Sequence, residues 1–98
     1  MMAIKLKNKH GVCRIKPEGE MTIYTAAGMK ESLLSALQKC NTLEIDLAKV
    51  GEMDSAGFQL LLLLKREADN QGKSLRLSNH SQAALEVLNL FQMAGHFG

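Results

Sequence analysis

Aromatic residues are scarce in this 98-residue chain: tryptophan is absent, and aromatic residues make up 4% of the sequence. Proteins that hold single-stranded nucleic acid use exposed aromatic side chains as platforms on which the bases stack. Long apolar runs are missing as well, because the leucine run of residues 60–64 is far too short to span a bilayer. These two absences argue against nucleic-acid binding and against direct insertion into a membrane.

Neither sign of charge dominates the sequence. Twelve lysines and arginines stand against ten aspartates and glutamates, which gives a formal net charge of +2. A surface that binds nucleic acid or an anionic membrane gathers its basic residues on one face or in one run. The basic residues here are scattered along the chain, so the charge pattern gives little support for either partner.

Cysteine is also rare, since Cys13 and Cys40 are the only two in the chain. They have neither the spacing of metal ligands nor a CxxC motif, and they are typical of reduced thiols in a cytosolic protein. The N-terminus lacks the long apolar core of a signal peptide. The sequence therefore predicts a cytoplasmic protein without a metal or another cofactor.

The hydrophobic pattern predicts one α/β domain over residues 1–98. Four segments alternate apolar and polar residues as half-buried strands do, and three have the spacing of amphipathic helices. Pro17 ends the second strand because proline has no N–H to give to a neighbour. The predicted strands cover residues 4–7, 12–16, 43–47 and 74–78. The predicted helices cover residues 25–40, 55–70 and 81–91, with a turn at residues 8–11 and a loop at 18–22.

The order β-β-α-β-α-β-α predicts a mixed sheet of four strands. Because all four strands alternate, one face of the sheet should be dry and the other wet, so the helices should lie on one face. Right-handed crossovers that keep their helices on one side step in one direction across a sheet. The predicted strand order is therefore 1-2-3-4, with the first strand antiparallel to the others.

Ser55 lies where the third predicted strand and its following turn give way to the second helix. The first N–H groups of a helix are unpaired and favour an anion. We therefore predict that Ser55 carries a phosphate that is added and removed. Asp54, and Glu52 with it, would repel that phosphate, so it should not order the loop. It should instead make the surface bulky and hydrated, which is an off-switch for binding. The alternative is that Asp54 or Ser55 only caps the helix.

A helical wheel divides the second helix into a core face and an opposite face. Leu60, Leu61, Leu64 and Ala68 share one third of the circle, which predicts that they face the sheet. The opposite face predicts a partner-binding stripe. Its members are Ser55, Phe58, Gln59, Leu62 and Arg66. The alternative, which the pattern leaves open, is that Phe58 and Leu62 pack under a neighbouring helix.

Residues 46–50 (DLAKV) followed by residues 53–57 (MDSAG) resemble the signature of STAS domains, the family of anti-sigma factor antagonists. Further similarity runs along nearly the whole chain in the same order and spacing. It covers residues 19–23 (GEMTI), 72–77 (GKSLRL), 88–91 (LNLF) and 93–95 (MAG). The resemblance implies a STAS-like fold.

The resemblance also implies a function. In that bacterial family the serine of Asp-Ser-x-Gly is phosphorylated by a partner serine kinase, which is often also the anti-sigma factor. The unphosphorylated antagonist binds this partner, and a phosphatase resets the system. Ser55 matches the modified position and Asp54 its acidic neighbour. The segment of residues 19–22, with Glu20 and Thr22, matches one that often lies near the partner.

Two other functions are alternatives to this one. Residues 24–27 (YTAA) with residues 60–66 (LLLLLKR) resemble small STAS proteins associated with chemotaxis signalling arrays, and other small STAS proteins are accessory subunits of lipid-transport ATPases. In a constitutive subunit of either kind, Ser55 would be only a cap. A small hydrolase using Ser55 is disfavoured, because the serine is not in Gly-x-Ser-x-Gly and no histidine has a supporting carboxylate. We therefore predict a binding module rather than an enzyme, with no catalytic residue and no metal site, and we favour a monomer.

Overall fold

The structure, a computed structural model, describes residues 7–9 and 11–90. Nine elements follow one another along this part of the chain. The strands are β1 (Lys7–Lys9), β2 (Val12–Ile15), β3 (Gly19–Met21), β4 (Thr42–Asp46), β5 (Val50–Met53) and β6 (Ser74–Ser78). The helices are α1 (Ala26–Gln38), α2 (Ser55–Asn70) and α3 (Gln82–Leu90). The α/β class and the three predicted helices are confirmed.

The main sheet has four strands in the order β1-β2-β4-β6. β1 runs antiparallel to β2, whereas β2, β4 and β6 are mutually parallel. These are the order and directions that the sequence predicts for its four strands. β1 lies later than predicted, because Asn8 and Lys9 pair with β2 instead of forming a turn. Ile4 and Leu6, on which the first strand was predicted, lie outside the described residues.

A second sheet, formed by β3 and β5 in parallel, makes the prediction of a single sheet wrong. Residues 18–22 were predicted as a loop, and residues 50–53 as part of a turn. Both strands are short, and Gly19 has a φ of 93° where the register of the pair shifts. Strands this short do not produce a readable alternation, so the period of two cannot reveal them. This sheet carries the chain into the start of α2.

The core lies on one face of the main sheet. In β2, β4 and β6, buried residues alternate with exposed or half-buried ones. α1 and α2 pack against each other, and they contact β4 and β6 respectively. Leu60, Leu61, Leu64 and Ala68 are all buried, so the predicted core face of α2 is confirmed. Among the described residues, every helix is too short or too polar to cross a membrane.

Candidate functional site

Ser55 is the first residue of α2 and follows the end of β5 by two positions. Its side chain is exposed. Within residues 7–9 and 11–90, no group forms a hydrogen bond or ion pair with its hydroxyl. The hydroxyl is therefore open to solvent and to an approaching enzyme, and the structure does not use it to stabilise the fold.

Asp54, rather than Ser55, is the N-cap of α2. Its Oδ1 accepts hydrogen bonds from the backbone N–H groups of Ala56 at 2.8 Å and Gly57 at 3.2 Å. A carboxylate is among the best N-caps because it pairs N–H groups that the helix leaves unpaired. These N–H groups would otherwise attract a phosphate on Ser55. Their use by Asp54 leaves such a phosphate with little to hold it against the loop.

The second oxygen of Asp54 ties the start of α2 to the segment that follows β3. Oδ2 accepts a hydrogen bond from the N–H of Ile23 at 3.1 Å, and the Asp54 N–H donates to the Met21 carbonyl at 3.3 Å. The hydrogen bonds that the Asp54 carboxylate accepts, first from Ile23 and then from Gly57 and Ala56, hold the pKa of Asp54 below its ordinary value, because they favour the charged form. One carboxylate thus fixes two chain segments that are far apart in sequence.

The segment between β3 and α1 is a tight turn held by two threonines. The Thr22 N–H donates to the Thr25 hydroxyl at 3.0 Å, and that hydroxyl donates to the Glu20 carbonyl at 3.0 Å. Thr25 forms no side-chain cap on α1. Thr22 was predicted to contact a partner, but it is only 5% exposed, so that prediction is wrong: its hydroxyl accepts from the Tyr24 N–H inside the turn.

The turn presents two apolar side chains to solvent beside the start of α2. Ile23 is 70% exposed and Tyr24 is 89% exposed, although the backbone around them is hydrogen-bonded on several sides. Large apolar side chains that a rigid backbone holds in water often mark an interaction surface. This pair could not be predicted from the sequence pattern, because Tyr24 is followed by helix-forming residues and gives no periodic signal.

Gly57 has a structural role that the sequence pattern does not explain. It is buried in the first turn of α2, directly against β3. A Cβ added there would overlap the Met21 carbonyl oxygen and would lie 3.0 Å from the Met21 Cβ. Glycine costs about 1 kcal/mol relative to alanine inside a helix, so its presence here requires a reason. The reason is the close approach of β3 to the helix that carries Ser55.

We expect Gly57→Ala to lower the free energy of unfolding by about 1–3 kcal/mol, because the added methyl group has no room beside backbone atoms. Gly28→Ala is the matched control. Gly28 lies inside α1, and nothing lies within 4 Å of an added Cβ. It should therefore stabilise the protein by about 0.5–1 kcal/mol through better helix propensity. Urea unfolding of both variants measures the difference, and equal effects would contradict the proposed overlap.

The predicted stripe on α2 is only partly exposed. Ser55, Gln59 and Arg66 are exposed, as predicted for that face. Phe58 is only 4% exposed and belongs to the core, so its prediction as a surface residue is wrong. Leu62 is half-buried and packs against the core. Phe58 and Leu62 thus pack inside the protein, as the alternative prediction has it. α3, β3 and β5 also contact α2, and they cover a side of the helix that a single sheet would leave open.

Acidic residues surround the start of α2. Glu20 and Glu52 are register partners across β3 and β5, and both are exposed. Paired residues of neighbouring strands point to the same side of a sheet, so the two carboxylates lie near each other. Glu18, beside them in sequence, forms an ion pair with Lys49 at 3.6 Å. A phosphate on Ser55 would therefore add negative charge to an end of the molecule that already carries several carboxylates.

A shallow groove of about 240 Å³ runs between α1 and α2, beginning next to Ser55. Its walls are mostly apolar, and one of them carries a lysine. The α1 wall consists of Ala26, Ala27 and Lys30, and the α2 wall includes Ala56, Gln59 and Leu63. The α2 residues that line the groove therefore lie on the side of the helix that faces α1. Phe58 and Leu62, the two apolar residues of the predicted stripe, do not line this groove.

The exposed nucleophilic group at the start of α2 is the hydroxyl of Ser55. His80 is half-buried, and its Nε2 atom is buried without a hydrogen-bond partner. Among the described residues, it forms no hydrogen bond with Ser55. His10 and His96 lie outside the described residues. Across the residues that the structure describes, no group of three or more histidines, cysteines, aspartates or glutamates is arranged to hold a metal ion.

The Asp54 cap makes stability depend on pH. Its pKa is lower in the folded chain than in the unfolded chain, where it is about 3.9. The stabilisation is therefore complete above about pH 4 and is lost as the pH falls through the folded pKa. We expect Asp54→Asn to flatten this part of the curve of unfolding free energy against pH. Asp69→Asn, which removes an exposed carboxylate near the other end of α2, should leave the curve closer to that of the wild type.

The fold and the site define a small α/β domain in which an exposed serine follows a carboxylate cap at the start of a helix. The family described as "Mlab, STAS domain" matches residues 4–97. The chain therefore belongs to the STAS domain family. Over 92 residues it is 27% identical to the anti-sigma-B factor antagonist of Bacillus subtilis (strain 168), which covers 94% of this chain and 82% of that protein.

Two solved structures have the same fold. The anti-sigma factor antagonist SpoIIAA in its unphosphorylated form is 21% identical, with a TM-score of 0.79 over 97% of this chain and 84% of that one. The Bacillus cell fate determinant SpoIIAA in its phosphorylated form is also 21% identical, with a TM-score of 0.75 over 97% and 87% of the two chains. The arrangement of strands and helices around Ser55 is therefore that of anti-sigma factor antagonists.

Proposed function

We propose that this chain is a bacterial, cytoplasmic binding module that is switched by phosphorylation of Ser55, in the manner of an anti-sigma factor antagonist. Without phosphate it binds a serine kinase that also acts as the anti-sigma factor, and a phosphatase restores that state. The observation that carries this proposal is the free, exposed hydroxyl of Ser55. Because Asp54 provides the cap, selection for helix stability alone does not account for a second polar residue there.

The switch works through charge and hydration at the start of α2. A phosphoserine carries a charge of about −1.5 to −2 near pH 7 and holds a shell of water. Asp54 already bonds the first N–H groups of α2, and Glu20 and Glu52 add like charge nearby. The phosphate therefore stays in solvent, where it keeps an apolar or acidic partner surface away. Binding is lost without any need for the domain to change its fold.

The proposed partner surface includes the exposed residues Glu20, Gln59 and Arg66 and the half-buried Leu62. Asp54 contributes to this surface mainly by holding Ile23 in position through a hydrogen bond, rather than by contacting the partner itself. Phe58 and Thr22 support this surface from below. The domain acts as a binding protein rather than an enzyme, so its effect depends on which partner it holds. The monomer is the proposed form.

The direct test is the intact mass of the protein purified from its native cells, with and without phosphatase treatment. We expect a fraction that is heavier by one phosphate, that loses it on treatment, and that is missing from a Ser55→Ala strain. A mass that phosphatase never changes, under any growth condition, would instead favour a constitutive subunit of a chemotaxis-linked or lipid-transport assembly. In that case partner assembly should survive Ser55→Ala.

A further inference from the structure

The groove between α1 and α2 and the apolar pair Ile23 and Tyr24 are neighbours. Tyr24 precedes the first groove residue, Ala26, by two positions, and the turn between them leads directly into α1. Ala56, next to Ser55, lines the opposite wall. The exposed pair therefore lies on the turn that leads into the α1 wall, and the groove has Ala56, the neighbour of Ser55, on its other wall. We call the groove between α1 and α2 the Ser55 groove.

The turn that carries Ile23 and Tyr24 is held rigidly. The Ile23 N–H bonds the Asp54 carboxylate at 3.1 Å, and the Tyr24 N–H bonds the Thr22 hydroxyl at 3.3 Å. A surface that is already ordered loses little conformational entropy when a partner binds, which makes it a better binding site. Exposed apolar side chains held in this way are typical of anchors in protein interfaces.

Charge indicates what kind of partner fits. Lys30 stands on the α1 wall of the groove, and within the described part of the chain it has no ion-pair partner. The acidic residues of this end, Glu20 and Glu52, lie on the strands before the groove rather than along it. A partner that places an apolar side chain in the groove can thus satisfy Lys30 with a carboxylate of its own.

We propose that the Ser55 groove docks a partner segment in which an apolar side chain is accompanied by an acidic residue that pairs with Lys30. This inference rests on the proposed function, and it adds the chemistry of the partner. It also explains the direction of the switch. A phosphate on Ser55 repels the partner's carboxylate at the mouth of the groove.

The test is photo-crosslinking of the full chain in its native cells, with p-benzoylphenylalanine in place of Ala27. The matched control places the same group at Ser32, which is exposed on a different face of α1. The crosslinked partner segment is sequenced by mass spectrometry. Two charge reversals accompany the crosslinker: Lys30→Glu in the groove, and Arg76→Glu on the open face of the main sheet, where the side chain is also exposed.

We expect a crosslink from position 27 to a segment with an apolar residue and a neighbouring aspartate or glutamate, and none from position 32. Lys30→Glu should lower its yield about tenfold or more, whereas Arg76→Glu should leave it unchanged. The inference is overturned by the absence of a crosslink at position 27, by a basic crosslinked segment, or by insensitivity to Lys30→Glu.

Ser55→Asp separates this inference from the proposed function. If the crosslink from position 27 persists at full yield in Ser55→Asp, the phosphorylation switch fails while the docking surface stands. A second outcome is that Ser55→Asp releases the partner, while Lys30→Glu does not weaken binding and position 27 gives no crosslink. The switch then stands, and the partner docks outside the groove.

Discussion

Phe58→Ala should lower the free energy of unfolding by about 3–5 kcal/mol, which is the usual cost of truncating a buried phenylalanine. The side chain is 4% exposed and belongs to the hydrophobic core. A domain of this size has a total stability of about 5–15 kcal/mol, so the variant should be close to unfolding. Urea unfolding followed by circular dichroism measures the loss. Partner binding should fall only in proportion to the folded fraction.

Gln59→Ala is the control for Phe58→Ala, because Gln59 is the next residue of α2 and is exposed. It should change the free energy of unfolding by less than about 0.5 kcal/mol. If Phe58→Ala were as stable as the wild type and yet failed to bind its partner, the side chain would have to act at the surface. Such a result would restore the stripe that the helical wheel predicts.

The main sheet and its core were predictable because their signals are periodic. Strands with one wet face alternate visibly, and the buried positions of β4 and β6 follow that alternation. The rule on right-handed crossovers then leaves one strand order, which the pairings of β2, β4 and β6 match. The core face of α2 followed from the spacing of Leu60, Leu61 and Leu64. In each case a repeated pattern carried the information.

The features nearest Ser55 could not be predicted in this way, because each depends on a single contact between distant segments. β3 and β5 are too short to show a period, yet their pairing covers one side of α2. That cover buries Phe58, which a wheel drawn for one sheet leaves exposed. The role of Gly57 depends on the approach of Met21. A single glycine in a helix signals that some contact exists but does not identify it.

Asp54 shows how one residue can be ambiguous in sequence and decided by structure. An aspartate before a helix can be a cap, an acidic neighbour of a modified serine, or a partner contact. Its two oxygens bond Ala56, Gly57 and Ile23 in the fold, so the cap is real, and it leaves the Ser55 hydroxyl without a structural task. Asp54 therefore caps the helix and Ser55 does not, so mutations at these two neighbouring residues should have separable effects.

Because Ser55 is not the cap, we expect the affinity for the partner to fall with the charge at position 55 while the fold is kept. Ser55→Ala should bind the proposed kinase partner as tightly as the wild type, because the hydroxyl makes no bond to the described residues that the fold needs. Ser55→Asp adds one charge and should weaken binding about tenfold. Phosphoserine at the same position, introduced during synthesis, carries about −1.5 to −2 charges with more bound water and should weaken binding about 100-fold.

All three forms should stay folded, and their stabilities should differ by much less than their affinities for the partner, because each keeps the hydrogen bonds of the Asp54 cap. Ser32→Asp, which adds the same charge at an exposed position of α1, should bind like the wild type. Calorimetry with the purified kinase gives the affinities. Phosphorylated protein that binds as tightly as unmodified protein would show that the charge at the start of α2 does not face the partner. A partner in the Ser55 groove would then have to bind without coming close to the Ser55 side chain.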